Sequence, residues 1–243
     1  MNLNRREFIK LGLKAAVVAG GIAAVSASLS PKEKYWGFVV DLTRCIGCGK
    51  CVQACRTENK VPEGFYRTWV ERYTVTEEGQ VLVDSPKMGE EGYTPYPPET
   101  DISKIKGGYF VPKLCNQCEN APCVAVCPVG ATYMTDDGVV LVDYEKCIGC
   151  GYCVSACPYG ARYLYPEDGE SEYMRGKVDK CTWCYHRVVR GLEPACVYVC
   201  PTKARVFGNV LDPNSDVRKY YRLKLKQPRP KTGADPKLYY YTG

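Results

Sequence analysis

Histidine is almost absent from this chain. The 243 residues contain one, His186, and that scarcity excludes several chemistries. A Rieske centre needs two histidine ligands, and an H-E-x-x-H metalloprotease site needs two on one helix face. A c-type haem needs C-x-x-C-H, and no C-x-x-C here is followed by histidine. No G-x-G-x-x-G follows a strand pattern, and no P-loop or catalytic triad is found. The Gly20-Gly21 pair lies in an N-terminal apolar segment. The chain therefore offers no legible site for a nucleotide, nicotinamide or flavin. Long apolar runs are missing too: residues 15–29 are the best of them and fall short of the roughly 20 residues of a membrane span.

Cysteine, by contrast, is abundant and ordered. Sixteen cysteines fall into four groups of four, and each group ends in C-x-x-x-C. They are Cys45/Cys48/Cys51/Cys55, Cys115/Cys118/Cys123/Cys127, Cys147/Cys150/Cys153/Cys157 and Cys181/Cys184/Cys196/Cys200. Proline follows the last cysteine in three groups, as Pro128, Pro158 and Pro201. This is the ligand run of a bacterial two-cluster ferredoxin, written twice, and it predicts four [4Fe–4S] clusters and electron transfer. A disulfide framework gives no reason for this spacing. Structural zinc is the stronger rival, but zinc ribbons pair two C-x-x-C knuckles across a long spacer. They do not pack four cysteines into the eleven residues of 45–55 or 147–157. His186, two residues after Cys184, reads as a surface or supporting residue rather than a ligand.

The spacing has a physical logic. A [4Fe–4S] cube offers one coordination site per iron, and thiolates at i, i+3 and i+6 wrap three corners from one loop. That loop also turns N–H groups toward an anionic cluster. The fourth corner is capped from elsewhere, as in two-cluster ferredoxins, where the fourth cysteine of a run ligates the other cluster. The proline after it stops a continuing helix. Gly47, Gly49, Gly149 and Gly151 flank the middle cysteines, where tight backbone geometry is needed.

The chain repeats internally. Residues 45–55 match 147–157, with Asp41 and Asp143 at the same interval before each, and 122–128 match 195–201. Strand patterns are read at 35–41, 81–83, 108–112, 138–143, 161–164 and 205–207. Strand, cluster loop and short helix together predict an α+β fold of two interleaved ferredoxin-like domains, each of the 2×[4Fe–4S] type. Such a fold has little core of its own and depends on its clusters for stability.

The remaining segments carry further expectations. Asn4-Arg5-Arg6-Glu7-Phe8-Ile9-Lys10 followed by a small-residue apolar stretch reads as a twin-arginine signal over 1–27, with Val25-Ser26-Ala27 as the cleavage site. An uncleaved anchor is the alternative. Export of a folded chain lets clusters be inserted in the reducing cytoplasm before use on the periplasmic face of the membrane. Residues 58–107 form an insertion carrying Tyr66, Trp69, Tyr73, Tyr93 and Tyr96 among proline and glycine breakers, which favours a partner interface. Residues 211–243, rich in basic residues, proline and tyrosine, read as an extended arm laid on a partner or on their own domain. The net charge of +6 does not point to nucleic acid. Residues 1–27 hold four basic residues and one acid, leaving +3, and four clusters at about −2 each reverse the sign.

The mature chain resembles the four-cluster iron–sulfur subunit of the membrane-associated molybdopterin oxidoreductases, the DMSO reductase family. The resemblance rests on the four groups, on 115–123 (CNQCENAPC), on 180–184 (KCTWC), on Arg205-Val206-Phe207-Gly208 and on 212–215 (DPNS). The segment 231–240 is most similar to the polysulfide, tetrathionate and thiosulfate reductase branch. The departure is Arg56, where the family has proline after the fourth cysteine.

The resemblance implies a cross-pairing of ligands. Cys45, Cys48, Cys51 and Cys200 hold cluster 1, and Cys55, Cys181, Cys184 and Cys196 hold cluster 2. Cys115, Cys118, Cys123 and Cys157 hold cluster 3, and Cys127, Cys147, Cys150 and Cys153 hold cluster 4. Residues 35–57 with 177–210 then form the first ferredoxin-like domain, and 108–165 the second. The resemblance also implies a non-catalytic electron-transfer role in anaerobic respiration. The partners would be a molybdopterin catalytic subunit at cluster 1 and a membrane quinone- or quinol-handling subunit at cluster 4. A sulfur compound would be the terminal substrate. The alternative is the iron–sulfur subunit of another respiratory complex, such as a hydrogenase, a nitrite or arsenate reductase system or a quinol-oxidising complex. Trp183, between two ligands, is expected to pack over a cluster. Lys113, Lys146 and Lys180 precede cluster loops and either raise potentials or are simply solvated.

Overall fold

Proline decides where the helices stop. The computed structural model describes residues 33–93, 96, 100–228 and 233–243, and those from Glu33 onward form one unit. The twin-arginine segment, its cleavage site, Pro95, Pro97, Pro98 and residues 229–232 lie outside the described residues. One residue before each run's third cysteine the chain begins to coil. Where proline follows the fourth cysteine the coil is one turn, as in α2 (Pro122–Ala125), α3 (Tyr152–Ser155) and α5 (Ala195–Tyr198). In the first run Arg56 replaces proline, and α1 (Lys50–Asn59) continues for ten residues. Two more short helices, α4 (Tyr185–Val188) and α6 (Asp216–Tyr220), complete the set among the described residues. Helix α1 packs on α5, and α2 on α3, so the first run meets the fourth and the second meets the third.

All six predicted strands are present. They are β1 (Trp36–Asp41), β3 (Val81–Asp84), β4 (Ile105–Leu114), β6 (Val140–Val142), β7 (Arg162–Leu164) and β9 (Arg205–Asn209). Five more join them: β2 (Thr68–Thr76), β5 (Thr132–Met134), β8 (Val178–Lys180), β10 (Leu225–Lys226) and β11 (Leu238–Tyr241). These make a four-stranded sheet in the order β10-β11-β1-β9, a three-stranded sheet β3-β2-β4, and the pairs β5-β6 and β7-β8. Strand β1 is antiparallel to β9, with Phe38 opposite Phe207, and parallel to β11, with Phe38 opposite Leu238. The mixture of short helices and strands is α+β.

Two strand pairs cross boundaries read from the sequence. The sequence places the insertion at 58–107, but β4 crosses that limit and pairs with β2 from Ile105 to Leu114. The insertion's sheet is thus continuous with the strand that leads into Cys115. The sequence ends the second domain at 165 and resumes the first at 177, yet β8 pairs with β7, Arg162 opposite Lys180. The arm, expected on a partner or on its own domain, lies on its own: β11 is an inner strand of the four-stranded sheet.

The main core lies under that sheet. Phe38, Val40, Leu238, Trp183 and Val197 are buried there beside Cys51, Cys181 and Cys196. The Phe38 ring is 5.7 Å from Trp183 and 6.0 Å from Phe207. A second core of Ala121, Val140, Val178 and Ala234 surrounds Cys118, Cys123 and Cys153.

Candidate metal centres

Asp41 and Asp143 open the two matching cysteine loops with the same device. Each side chain accepts the N–H two residues ahead, Thr43 at 3.0 Å and Glu145 at 3.0 Å, making an Asx turn. Gly49 and Gly151 then take left-handed φ values of 72° and 76° at the start of α1 and α3. A Cβ at Gly149 would strike the carbonyl oxygen of Gly176, so glycine there also permits a close backbone approach.

Three cavities each gather four cysteines from two runs. The first is lined by Cys45, Cys48, Cys51 and Cys200. The second is lined by Cys55, Cys181, Cys184 and Cys196. The third is lined by Cys115, Cys118, Cys123 and Cys157. In each, three cysteines come from one run and the remaining one is the fourth cysteine of another. The other four sit on more open surface: Cys150 is exposed, Cys127 and Cys147 are half-buried and Cys153 is buried. No two of the sixteen are joined as a disulfide. Among the described residues, no three His, Cys, Asp or Glu side chains converge to hold a single metal ion.

The electrostatics of these thiols divide by position. Burial pushes Cys45 up to about 11 and Cys118 and Cys181 up to about 12, with neighbouring cysteines adding to the rise. Burial drives Cys55 and Cys196 higher still. Cys127 and Cys200 go the other way. Burial opposes their ionisation, but N–H groups of the loop after each outweigh it. Ala131 N donates to Cys127 Sγ at 3.2 Å and Ala204 N to Cys200 Sγ at 3.3 Å. Thiolates crowded in buried cavities need a cationic core to compensate them, and an iron–sulfur cube supplies one.

Three buried arginines stand at the cavities. Arg67, at the second, is paired with Asp179. Arg162, at the third, donates to Cys123 Sγ at 3.0 Å and Thr132 Oγ1 at 3.2 Å. Arg205, at the first, donates from Nη2 to Thr68 Oγ1 at 2.8 Å, and its Nη1 is buried with no partner. An orphaned guanidinium nitrogen beside four thiols fits an anionic group in that cavity.

The cavities form a series. Cys51 of the first is an electrostatic neighbour of Cys196 in the second, and Cys181 of the second is a neighbour of Cys115 in the third. Arg162 is close to Cys115 and Cys123 of the third and to Cys153 of the remaining set. Between second and third stands Trp183, 1% exposed, whose indole N–H donates to Cys115 O at 3.1 Å. Gln117 bridges the same gap, donating to Cys181 O at 2.9 Å and accepting from Val140 N at 2.7 Å.

The lysines before the loops differ. Lys146 is exposed and paired with Asp143, and Lys113 is paired with Glu71. Lys180 is not solvated: it is fully buried, with Nζ donating to Cys181 O at 2.8 Å and to Val140 O. His186 lies 2.7 Å from Glu58 near the surface.

Sequence reasoning gave neither Arg162 nor Arg205 a role at a cluster, although Arg205 stands in a motif that carries the family resemblance and a further signal was present. Both stand five residues after a fourth cysteine, in Cys157-Pro158-Tyr159-Gly160-Ala161-Arg162 and Cys200-Pro201-Thr202-Lys203-Ala204-Arg205. The third copy of C-P-x-x-A ends in Thr132, the partner of Arg162.

Comparison with known proteins agrees with these centres. Residues 107–210 and 44–131 each match a model of a 4Fe-4S dicluster domain. The chain is 45% identical over 219 residues to a protein named as an iron–sulfur subunit of dimethyl sulfoxide reductase in Halobacterium salinarum, covering 86% of this chain and 79% of that one. It is 39% identical to the B component of tetrathionate reductase from Salmonella typhimurium, over 87% of this chain and 73% of that one. It is also 39% identical to the B component of polysulfide reductase from Wolinella succinogenes, over 85% and 93%.

Proposed function

The chain belongs to the iron–sulfur electron-transfer subunits of the dimethyl sulfoxide, tetrathionate, polysulfide and thiosulfate reductases, and we propose that it is the internal wire of such a complex. It carries four [4Fe–4S] clusters. Each cluster, when bound, accepts and passes on one electron. The protein's part is to hold, order and insulate them. Cys45, Cys48, Cys51 and Cys200 bind the first, and Cys55, Cys181, Cys184 and Cys196 the second. Cys115, Cys118, Cys123 and Cys157 bind the third, and Cys127, Cys147, Cys150 and Cys153 the fourth. The two ferredoxin-like domains are interleaved, the first and fourth runs making one and the second and third the other.

The observation that carries this reading is the serial proximity of the thiol sets, from Cys51 and Cys196 through Cys181 and Cys115 to Arg162 and Cys153. A wire has two ends, and we assign them to other subunits. A molybdopterin catalytic subunit meets the first cluster and a membrane quinone- or quinol-handling subunit the fourth, where Cys150, Ile148 and Tyr152 are exposed. Strand β3, with Val81, Leu82 and Val83 all about half exposed, supports an interface on the insertion. The chain itself catalyses no substrate step. It works on the periplasmic side after twin-arginine export, in respiration on a sulfur compound.

Purification of the assembled complex tests the proposal. Iron analysis should give about 16 Fe per copy of this chain, alongside a molybdopterin-containing large subunit. Eight iron atoms, or a large subunit of hydrogenase type, would overturn it.

A further inference from the structure

Two buried arginines face neighbouring cavities and differ in one respect. Arg67, at the second, is clamped by Asp179, with Nε to Oδ2 and Nη2 to Oδ1 both at 2.8 Å. Asp179 is fully buried and also accepts from the Tyr144 and Tyr163 hydroxyls. Seen from the cavity, the pair is close to neutral. Arg205, at the first, has no carboxylate partner among the described residues. It is 2% exposed, its Nη1 is orphaned, and its electrostatic neighbours are Cys51, Cys196, Cys45 and Cys200. A guanidinium buried this way keeps its whole charge and presents it to three thiols of the first cavity, Cys45, Cys51 and Cys200, and to Cys196 of the second.

We propose that Arg205 is a potential-setting residue: its unpaired charge holds the first cluster at a higher reduction potential than the second, where Asp179 cancels Arg67. The proposal rests on the reading that Cys45, Cys48, Cys51 and Cys200 hold the first cluster. Reduction adds one electron, supplied by the neighbouring cluster, which loses one. No proton or ligand need move. The added negative charge is favoured beside an uncompensated cation lining the cavity, whereas at the second cavity the lining arginine is neutralised and Lys180 and Arg205 act only through Cys181 and Cys196. Position in the fold supports the assignment, since Arg205 stands five residues after Cys200, at the start of β9, with its charge directed inward.

The test is a redox titration of the cluster-loaded complex, followed by EPR, with iron content measured on every sample. Cys45→Ser first identifies the signal of the first cluster. Arg205→Gln should lower that cluster's reduction equilibrium at least tenfold, which is 59 mV for one electron, and Arg205→Lys should restore most of the loss. Asp179→Asn should raise the second cluster by a comparable factor. Full iron with unmoved potentials in Arg205→Gln overturns the proposal, as does an equal shift in the Gln and Lys variants. If Arg205→Gln fails to load, Asp179→Asn decides, and a second cluster that does not rise overturns it. A signal that moves in Arg205→Gln but is untouched by Cys45→Ser would instead sink the ligand assignment.

Discussion

The two cysteine-rich halves of this protein are built to different standards. The half formed by the first and fourth runs has a four-stranded sheet, a ten-residue helix and the aromatic core of Phe38, Trp183 and Phe207. The half formed by the second and third runs has two-stranded pairs and single-turn helices, and its core is mostly alanine and valine. One sits on protein packing as well as metal. The other has little besides metal to hold it. Dependence on clusters therefore follows from how much apolar surface each half buries, rather than from the cysteines, which are the same in number.

Metal removal gives the largest effect and is the most direct way to break this comparison. Chelation of all iron is expected to abolish most of the far-ultraviolet circular dichroism. Hydrogen exchange should show 115–164 losing protection before β1 and β9 do. Equal and simultaneous loss in both halves would defeat the distinction. A smaller change sharpens it. Phe38→Ala removes a fully buried ring and is expected to cost about 3–5 kcal/mol, read as earlier thermal bleaching of the clusters at a fixed heating rate. Val140→Ala, equally buried in the weaker half, should cost about 1–2 kcal/mol on the same measure.

The smallest expected effect lies in the insertion, and it is a pH effect. Burial alone would raise the Glu71 carboxyl, but Lys113 at 2.6 Å, Trp69 Nε1 at 2.9 Å and Tyr73 OH at 3.0 Å outweigh it and hold it below the usual range. A depressed carboxyl contributes stability that is present above its unfolded value and lost as pH falls through the folded one. Glu71→Gln should therefore lower local stability of the β2-β4 pair by about 1 kcal/mol at pH 7 and make no difference in acid. Hydrogen exchange at Trp69–Tyr73 measures this, and a pH-independent loss would mean that packing, not charge, is at work.

The cysteine spacing made the centres legible because a cube demands thiolates at fixed short intervals. Strand β2 was missed for a physical reason. Its buried face is Thr68, Val70, Arg72, Thr74 and Thr76, while Trp69, Tyr73 and Val75 point to the more open side. Arg72 is tolerated inside because Asp84 meets it at 2.7 Å across the β2-β3 pair. An alternation with polar groups inward cannot be told from a loop by hydropathy. Strand β11 was missed because its reason for being a strand lies about two hundred residues away, in β1. The helix extension at Arg56 was visible only as a missing proline, and its consequence was the longest helix among the described residues.

The parallel pairing of β1 with β11 also imposes an order of manufacture. Strand β1 emerges from the ribosome about 170 residues before its neighbour β9 and about two hundred before β11. At ~5–20 residues per second that is a wait of roughly 10–40 s. During that interval Cys45, Cys48 and Cys51 have no Cys200, and the hydrophobic face of β1 has no cover. A nascent chain that stalls before Leu238 thus cannot close its own sheet. Closure of the sheet therefore waits on translation through β11.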